Sequence, residues 1–234
     1  MTPEHIAQQL TQVGACLIQP ADLNACLGID GSEWTRFAGH WEDLVVDPYA
    51  AELGTRRLRR YGHFLFDPAE GDFKPTAHDA FVQPENSNPL YVGKDRHFEP
   101  LTDAFAKDPL LERVLTLLGR LALALDDVAP WNAKVTPFRV LASAGDEGQP
   151  TPEGLHRDGV TLVTSLLIRR RNAVGGESSV FDMDGNRIIT TTLAEPGTLL
   201  LGDDRRTLHG VSPIHPIDPA EPAQRDVLVI TFAP

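Results

Sequence analysis

Residues 160–168 read VTLVTSLLI, a nine-residue apolar run rich in β-branched side chains. That is strand length, short for a core helix, and its Val and Thr content favours a pleated backbone. Six further runs of the same character surround it: KVTPFRVLAS at 134–143, ESSVFDM at 177–183, NRIITTTL at 186–193, GTLLLGD at 197–203, TLHGVSPI at 207–214 and DVLVITF at 226–232. Asp184-Gly185 between two of them is a hairpin signal, and Glu195-Pro196-Gly197 marks another turn. No helix of 10–15 residues alternates with these strands, which excludes a parallel βαβ architecture. The reading is a mainly β (α+β) fold, an antiparallel sandwich or barrel of jelly-roll type with helices packed on one sheet from outside.

Upstream of residue 134 the signals are mixed. Thr2 can cap a helix, Pro3 suits its first position, and Gly14 can end it. A loose stretch is expected up to residue 57. LRRYGHFLFD at 58–67 alternates and predicts a strand. Residues 67–100 are broken by repeated prolines and predict irregular structure. Asp108-Pro109 opens the clearest helix, LLERVLTLLGRLALAL, with a leucine-rich face fit for packing. The expected organisation is a single domain, 1–234: an N-terminal extension (1–57), a packing segment (58–133) and the main β core (134–234).

Composition sets outer limits. The chain has 234 residues, 41% hydrophobic and 23% charged, the range of a soluble globular protein. Twenty-one basic against 33 acidic residues give a net charge of −12. That balance disfavours phosphate-mediated binding to nucleic acid or docking on an anionic membrane. It leaves room for a small anionic ligand held by a local arginine. No run approaches a membrane span and no leader pattern opens the chain, so a cytoplasmic location is expected. Cys16 and Cys26 are too few for a disulfide scaffold and form no metal knuckle.

The chemistry-bearing pattern is His156-Arg157-Asp158. On a strand, positions i and i+2 share a side, so an imidazole and a carboxylate can converge on one cation. His40-x-Glu42 and His97-x-Glu99 offer the same residue types, but in segments with poor strand character and without ordered partners downstream. His156 stands at the mouth of a strand. His209 follows it in an apolar strand, and Arg225 opens the last strand 16 residues later. Two histidines and one carboxylate that leave open positions make the facial triad of non-haem Fe(II) oxygenases. An arginine on a neighbouring strand can hold a carboxylate with its planar fork. His215 is an alternative to His209, though flanking prolines disfavour a regular strand there.

This order, H-x-D, distal His, then Arg, resembles the Fe(II)/2-oxoglutarate-dependent dioxygenases. TPEGLHRDG at 151–159, GGES at 175–178 and LHGVSPI at 208–214 are similar to the bacterial free amino-acid hydroxylases related to isoleucine dioxygenase. The resemblance covers roughly residues 58–232. It implies a double-stranded β-helix (jelly-roll, cupin-like) core, Fe(II) held by His156, Asp158 and His209, and 2-oxoglutarate anchored by Arg225. It implies an O2-dependent hydroxylation of a small aliphatic L-amino acid, leucine-, isoleucine- or methionine-like, releasing succinate and CO2. A free amino acid needs a cation for its carboxylate and an acceptor for its ammonium. Tyr61, Arg139 and Glu177 are the candidates, and the runs Arg56–Arg60 and Arg169–Arg171 could each contribute one inward arginine. A lid from residues 67–100 would close a small pocket. The alternatives are the same chemistry on a peptidyl or carrier-tethered residue, and a non-catalytic cupin-like metal-binding sensor, for which Arg225 would have no use.

Overall fold

The computed structural model describes residues 1–77, 81, 96–127 and 130–234. Helix α1 (Pro3–Val13) begins and ends where its signals predict: Thr2 accepts from the His5 amide, and Gly14 closes it at φ +89°. The stretch expected to be loose is ordered. It holds β1 (Ala15–Ile18), α2 (Pro20–Leu27), α3 (Glu33–Phe37), a 3-10 turn (Ala38–Asp43), β2 (Val45–Val46) and α4 (Pro48–Glu52). These elements are too short for periodicity to reveal, yet Trp34, Phe37 and Trp41 sit in the core.

The strand expected over 58–67 is two strands, β3 (Arg57–Arg59) and β4 (Gly62–Asp67). Between them Tyr61 exchanges backbone hydrogen bonds with Glu99 and Leu101. The chain passes so close that a Cβ on Gly62 would lie 2.5 Å from Leu101 Cδ1. β5 (Asp72–Pro75) pairs back on β4. After α5 (Asp103–Ala106), α6 (Pro109–Leu125) starts at its predicted cap, with Asp108 accepting from the Leu110 amide at 2.8 Å. Then come β6 (Trp131–Ala142), β7 (Leu162–Arg171), β8 (Ala173–Gly175), β9 (Glu177–Asp182), β10 (Arg187–Thr192), β11 (Leu199–Asp203), β12 (Thr207–Val211), β13 (Ile214–Pro216) and β14 (Ala223–Ala233).

The main sheet runs β1-β11-β7-β14-β6-β3-β2, with β4 and β5 attached through β6. The pairings are antiparallel, as the absence of crossover helices requires. β10-β9-β12 and β13-β8 form two smaller sheets. Val180 of β9 packs with Leu167, Leu200 and Val227 of the main sheet, and Ile214 of β13 packs with Val140 and Ala142. The smaller sheets thus face the main one, giving the jelly-roll.

Both faces of the main sheet are covered, and β14 shows how. Leu228, Ile230 and Phe232 join the core under α1, α2 and α6, while Val227 and Val229 face the smaller sheets. The period-2 alternation therefore separates two apolar faces, and the functional cavity lies on the inner one. N-terminal residues 1–57 act as part of this body, because β1 adds an edge strand to β11.

Candidate metal centre

His156 and His209, 53 positions apart, exchange backbone hydrogen bonds, each amide donating to the other's carbonyl at 2.9 Å. That bridge sets their rings side by side, centroids 4.4 Å apart. Asp158 completes the group: its carboxylate lies 3.9 Å from His156 Nε2 and 3.6 Å from His209 Nε2. One ligand atom from each residue falls within 4.8 Å of the other two, close enough for one ion to bridge all three.

The convergence does not come from strand pleat, as the H-x-D spacing suggested. His156 makes a single bridge and Asp158 lies in the turn before β7. A buried carboxylate sets the turn instead. Asp204 accepts from the amides of Asp158, Gly159 and Val160 at 3.1, 2.8 and 3.0 Å. Burial pushes its carboxyl up, and the Val160 amide pulls the other way. It also sits 3.7 Å from His209 Nδ1. Sequence reasoning missed Asp204. Its signal was the acidic pair Asp203-Asp204 directly after the apolar run of β11.

The donor set suits a cation. His156 Nδ1 lies 3.0 Å from the Gly154 carbonyl, which only accepts, so Nδ1 donates there and Nε2 is the ring nitrogen on the Asp158 side. Burial pulls His209 down from its ordinary pKa, favouring the neutral form that ligates a metal.

These residues open on a cavity of about 300 Å³, also lined by Arg225, Arg59, Glu153 and an apolar wall that includes Val180 and Val229. Arg225 is 1% exposed, and among the described residues its Nε and Nη2 have no hydrogen-bond partner. Burial, with Arg170 adding like charge, pulls its guanidinium down to about 10. The GGES motif explains how the chain closes over it: a Cβ on Gly176 would meet Ile214 at 2.9 Å and the Arg225 stem at 3.5 Å. Glu153, another residue the sequence did not single out, places Oε1 3.4 Å from His156 Nε2.

The other candidates lie elsewhere. Arg139 is on the outer face of β6, where Nε and Nη2 grip Asp226 at 2.8 and 3.0 Å and Nη2 reaches Glu42 at 3.0 Å. It is not in the cavity, because residue 139 has the wrong strand parity. Glu177 is exposed on a separate surface groove beside Gln149 and Phe181. Tyr61 is buried edge-on against Phe81, 5.1 Å between centroids; Phe81 lines the cavity and Tyr61 does not. His215 is half exposed, 3.9 Å from Glu147. His40 binds Asp108 at 2.8 Å while Glu42 serves the outer arginines, so that pair does not converge. His97 and Glu99 are exposed. His78 and half of the stretch expected to form a lid, residues 78–80 and 82–95, lie outside the described residues.

A jelly-roll carrying a His/Asp/His group beside an uncompensated buried arginine defines a non-haem iron oxygenase. The chain matches the 2OG-Fe dioxygenase family over residues 38–231 and belongs to it. The family uses Fe(II), 2-oxoglutarate and O2, and the His156, Asp158 and His209 group fits an iron site. Among solved structures, the chain is similar to a bsmA homolog from Methylobium petroleophilum PM1, with a TM-score of 0.91 and 36% identity, covering 100% of this chain and 93% of that one. IDO from Bacillus thuringiensis shares the fold, with a TM-score of 0.80 at 19% identity, covering 100% and 96% of the two chains. A 3(1)-hydroxy-L-isoleucine 4-dioxygenase of Pantoea ananatis is 25% identical over 202 residues, 82% of this chain and 77% of that protein. Among the described residues no helix is long and apolar enough to cross a membrane.

Proposed function

We propose that this dioxygenase hydroxylates a small aliphatic free L-amino acid, with Fe(II) held by His156, Asp158 and His209 and the distal carboxylate of 2-oxoglutarate held by Arg225. The observation that carries the reading is Arg225. A guanidinium sealed from water with two open donors is costly unless a ligand completes it, and a planar carboxylate matches its fork. A domain that merely stored a metal would have no need for that group, which argues against the sensor alternative.

Bound iron with 2-oxoglutarate and O2 supplies the oxidising chemistry, turning the cosubstrate into succinate and CO2 as oxygen enters a C–H bond. The chain's own part is position and exclusion. The Gly154 carbonyl orients the His156 ring, and Asp204 holds the H-x-D turn. The apolar wall keeps water from the reacting centre. Glu153 offers an acceptor for the substrate ammonium.

The substrate class rests on three supports: a cavity at the small end of the usual 300–1,000 Å³ range, its apolar wall, and the isoleucine-derived substrate in the name of the Pantoea ananatis relative. The test is anaerobically purified protein supplied with Fe(II), 2-oxoglutarate, O2 and each of the twenty amino acids. Succinate and a product one oxygen heavier are expected with leucine, isoleucine or methionine. Turnover of lysine or glutamate alone would overturn the substrate class, and turnover of peptides but no free amino acid would favour the tethered alternative.

A further inference from the structure

The inner face of β3 carries two arginines with opposite surroundings. Arg57 is buried and matched: its Nε and Nη2 reach Asp47 Oδ2 at 2.9 and 2.8 Å, and Asp47 is itself fully buried. Arg59, two residues on and on the same face, is 2% exposed, and among the described residues its Nε and Nη2 have no hydrogen-bond partner. Asp47, an acid close enough to act on Arg59 electrostatically, is already committed to Arg57 and to the amides of Tyr49 and Ala50.

Something other than charge holds Arg59 in place. Its guanidinium lies 3.4 Å from the ring centroid of Phe98, with Phe138 at 4.8 Å and Phe81 at 5.1 Å. Stacking on an aromatic face supports the cation and leaves its in-plane N–H donors free for a second partner. Both Arg59 and Arg225 line the cavity of the metal group. They project from strands on either side of β6, Arg59 beside Phe138 and Arg225 beside Val140, roughly 12 Å apart at the backbone.

We infer that Arg59 receives the carboxylate of the organic substrate, so that the cavity has two separate anion sites, Arg225 for the cosubstrate and Arg59 for the substrate. The inference rests on the amino-acid reading above and assigns the substrate cation that Arg139 does not supply. It also explains specificity. The aromatic collar of Phe81, Phe98 and Phe138 admits a flat carboxylate edge-on to the guanidinium, and a substrate lacking that charge leaves the fork unfilled. Burial and the neighbouring Arg57 pull the guanidinium well below its ordinary range, the cost an incoming anion would relieve.

The experiment measures binding, independent of turnover. Protein loaded anaerobically with Fe(II) and 2-oxoglutarate is titrated calorimetrically with L-leucine, L-isoleucine and L-methionine and with the corresponding amides. Wild type is expected to prefer acid over amide by at least about 30-fold, the value of a buried charge-assisted pair. Arg59→Met should bring that ratio close to one while 2-oxoglutarate affinity shifts less than about 3-fold, and Arg59→Lys should restore part of the preference. Should Arg59→Met fail to fold, Arg59→Lys carries the test, with a reduced ratio expected. An undiminished ratio in the variants overturns the inference. So does a collapse of 2-oxoglutarate affinity with the preference intact, which would make Arg59 the cosubstrate anchor. If wild type binds none of the amino acids, the substrate class falls separately, and 4-methylpentanoate against 4-methylpentanamide then reads Arg59 alone. Equal binding of those two by wild type removes the anion site, and a carboxylate preference lost in Arg59→Met retains it.

Discussion

Arg225 and Asp226 are neighbours in β14, and they face opposite worlds. Inward, Arg225 lines the cavity, and among the described residues its Nε and Nη2 meet no hydrogen-bond partner. Outward, Asp226 is fully buried among Arg139, Arg169 and Gln224, with Glu42 bridging the two arginines. The outer face spends its charges on itself and leaves nothing for a ligand. On the inner face, Arg225 and Arg59 have Nε and Nη2 unpartnered among the described residues, so those donors are available to a ligand. An arginine's function here is decided less by its own burial than by whether an acid from elsewhere in the chain reaches it first.

The sharpest break in this comparison is at the metal group. His209→Ala should reduce succinate production to background while far-UV circular dichroism stays native, because the ring faces the cavity and its backbone bridge to His156 remains. Retained turnover would move the distal ligand elsewhere.

The two neighbours on β14 should then fail in different assays. Asp226→Ala strips a buried acid from two arginines and should cost about 3–5 kcal/mol in urea unfolding. Arg225→Ala removes an uncompensated charge, so stability should hold or rise. Its 2-oxoglutarate half-saturation should climb roughly 30-fold to a few thousand-fold, equivalent to about 2–5 kcal/mol. Arg225→Lys should recover part of this, since an ammonium cannot match both oxygens. Unchanged half-saturation in Arg225→Ala would put Arg225 outside the site.

Smaller effects sharpen the outer face. Arg139→Ala should cost about 1–2 kcal/mol of stability, because Arg169 and Gln224 still reach Asp226, and should leave substrate and cosubstrate half-saturation at wild-type values. A raised substrate half-saturation would return Arg139 to the binding site. The smallest effect concerns pH. Hydrogen bonds from Arg139, then Arg169, lower Glu42 from 4.5 to about 2. A depressed carboxylate stabilises the fold above its unfolded value and loses that contribution as pH falls, here between about 4.5 and 2. Glu42 is largely exposed, so screening limits the contribution to below about 1 kcal/mol. Thermal melts of wild type and Glu42→Gln should differ at pH 6 and converge near pH 2.

Much of this was legible in the residues. The strand runs from 134 onward, the Asp184-Gly185 hairpin, both clear helices and the His156, Asp158, His209 and Arg225 order are local or near-local signals. A strand or a capped helix is a property of consecutive side chains. The N-terminal elements were hidden because four-residue strands and five-residue helices are too short to show a period. Asp204 and Glu153 were hidden because their roles depend on neighbours that arrive from other segments.

The arginines divide along the same line. Sequence alone established that the runs at 56–60 and 169–171 were cationic and that each could turn one residue inward. Which residues turned, and what they met, was a tertiary decision. A register shift where β7 pairs with β14, between Asp226 and Val227, sets Arg169 against Asp226 on the outer side, while Arg170 lies beside Arg225. Asp47 is ten residues from Arg57 and Glu42 is 97 from Arg139, yet those acids determine that Arg57 and Arg139 are structural and that Arg59 and Arg225 stay open. Alternation along a strand fixes sidedness only once the register is known, and charge compensation is fixed only when distant segments pack; neither is encoded in any stretch of the chain read by itself.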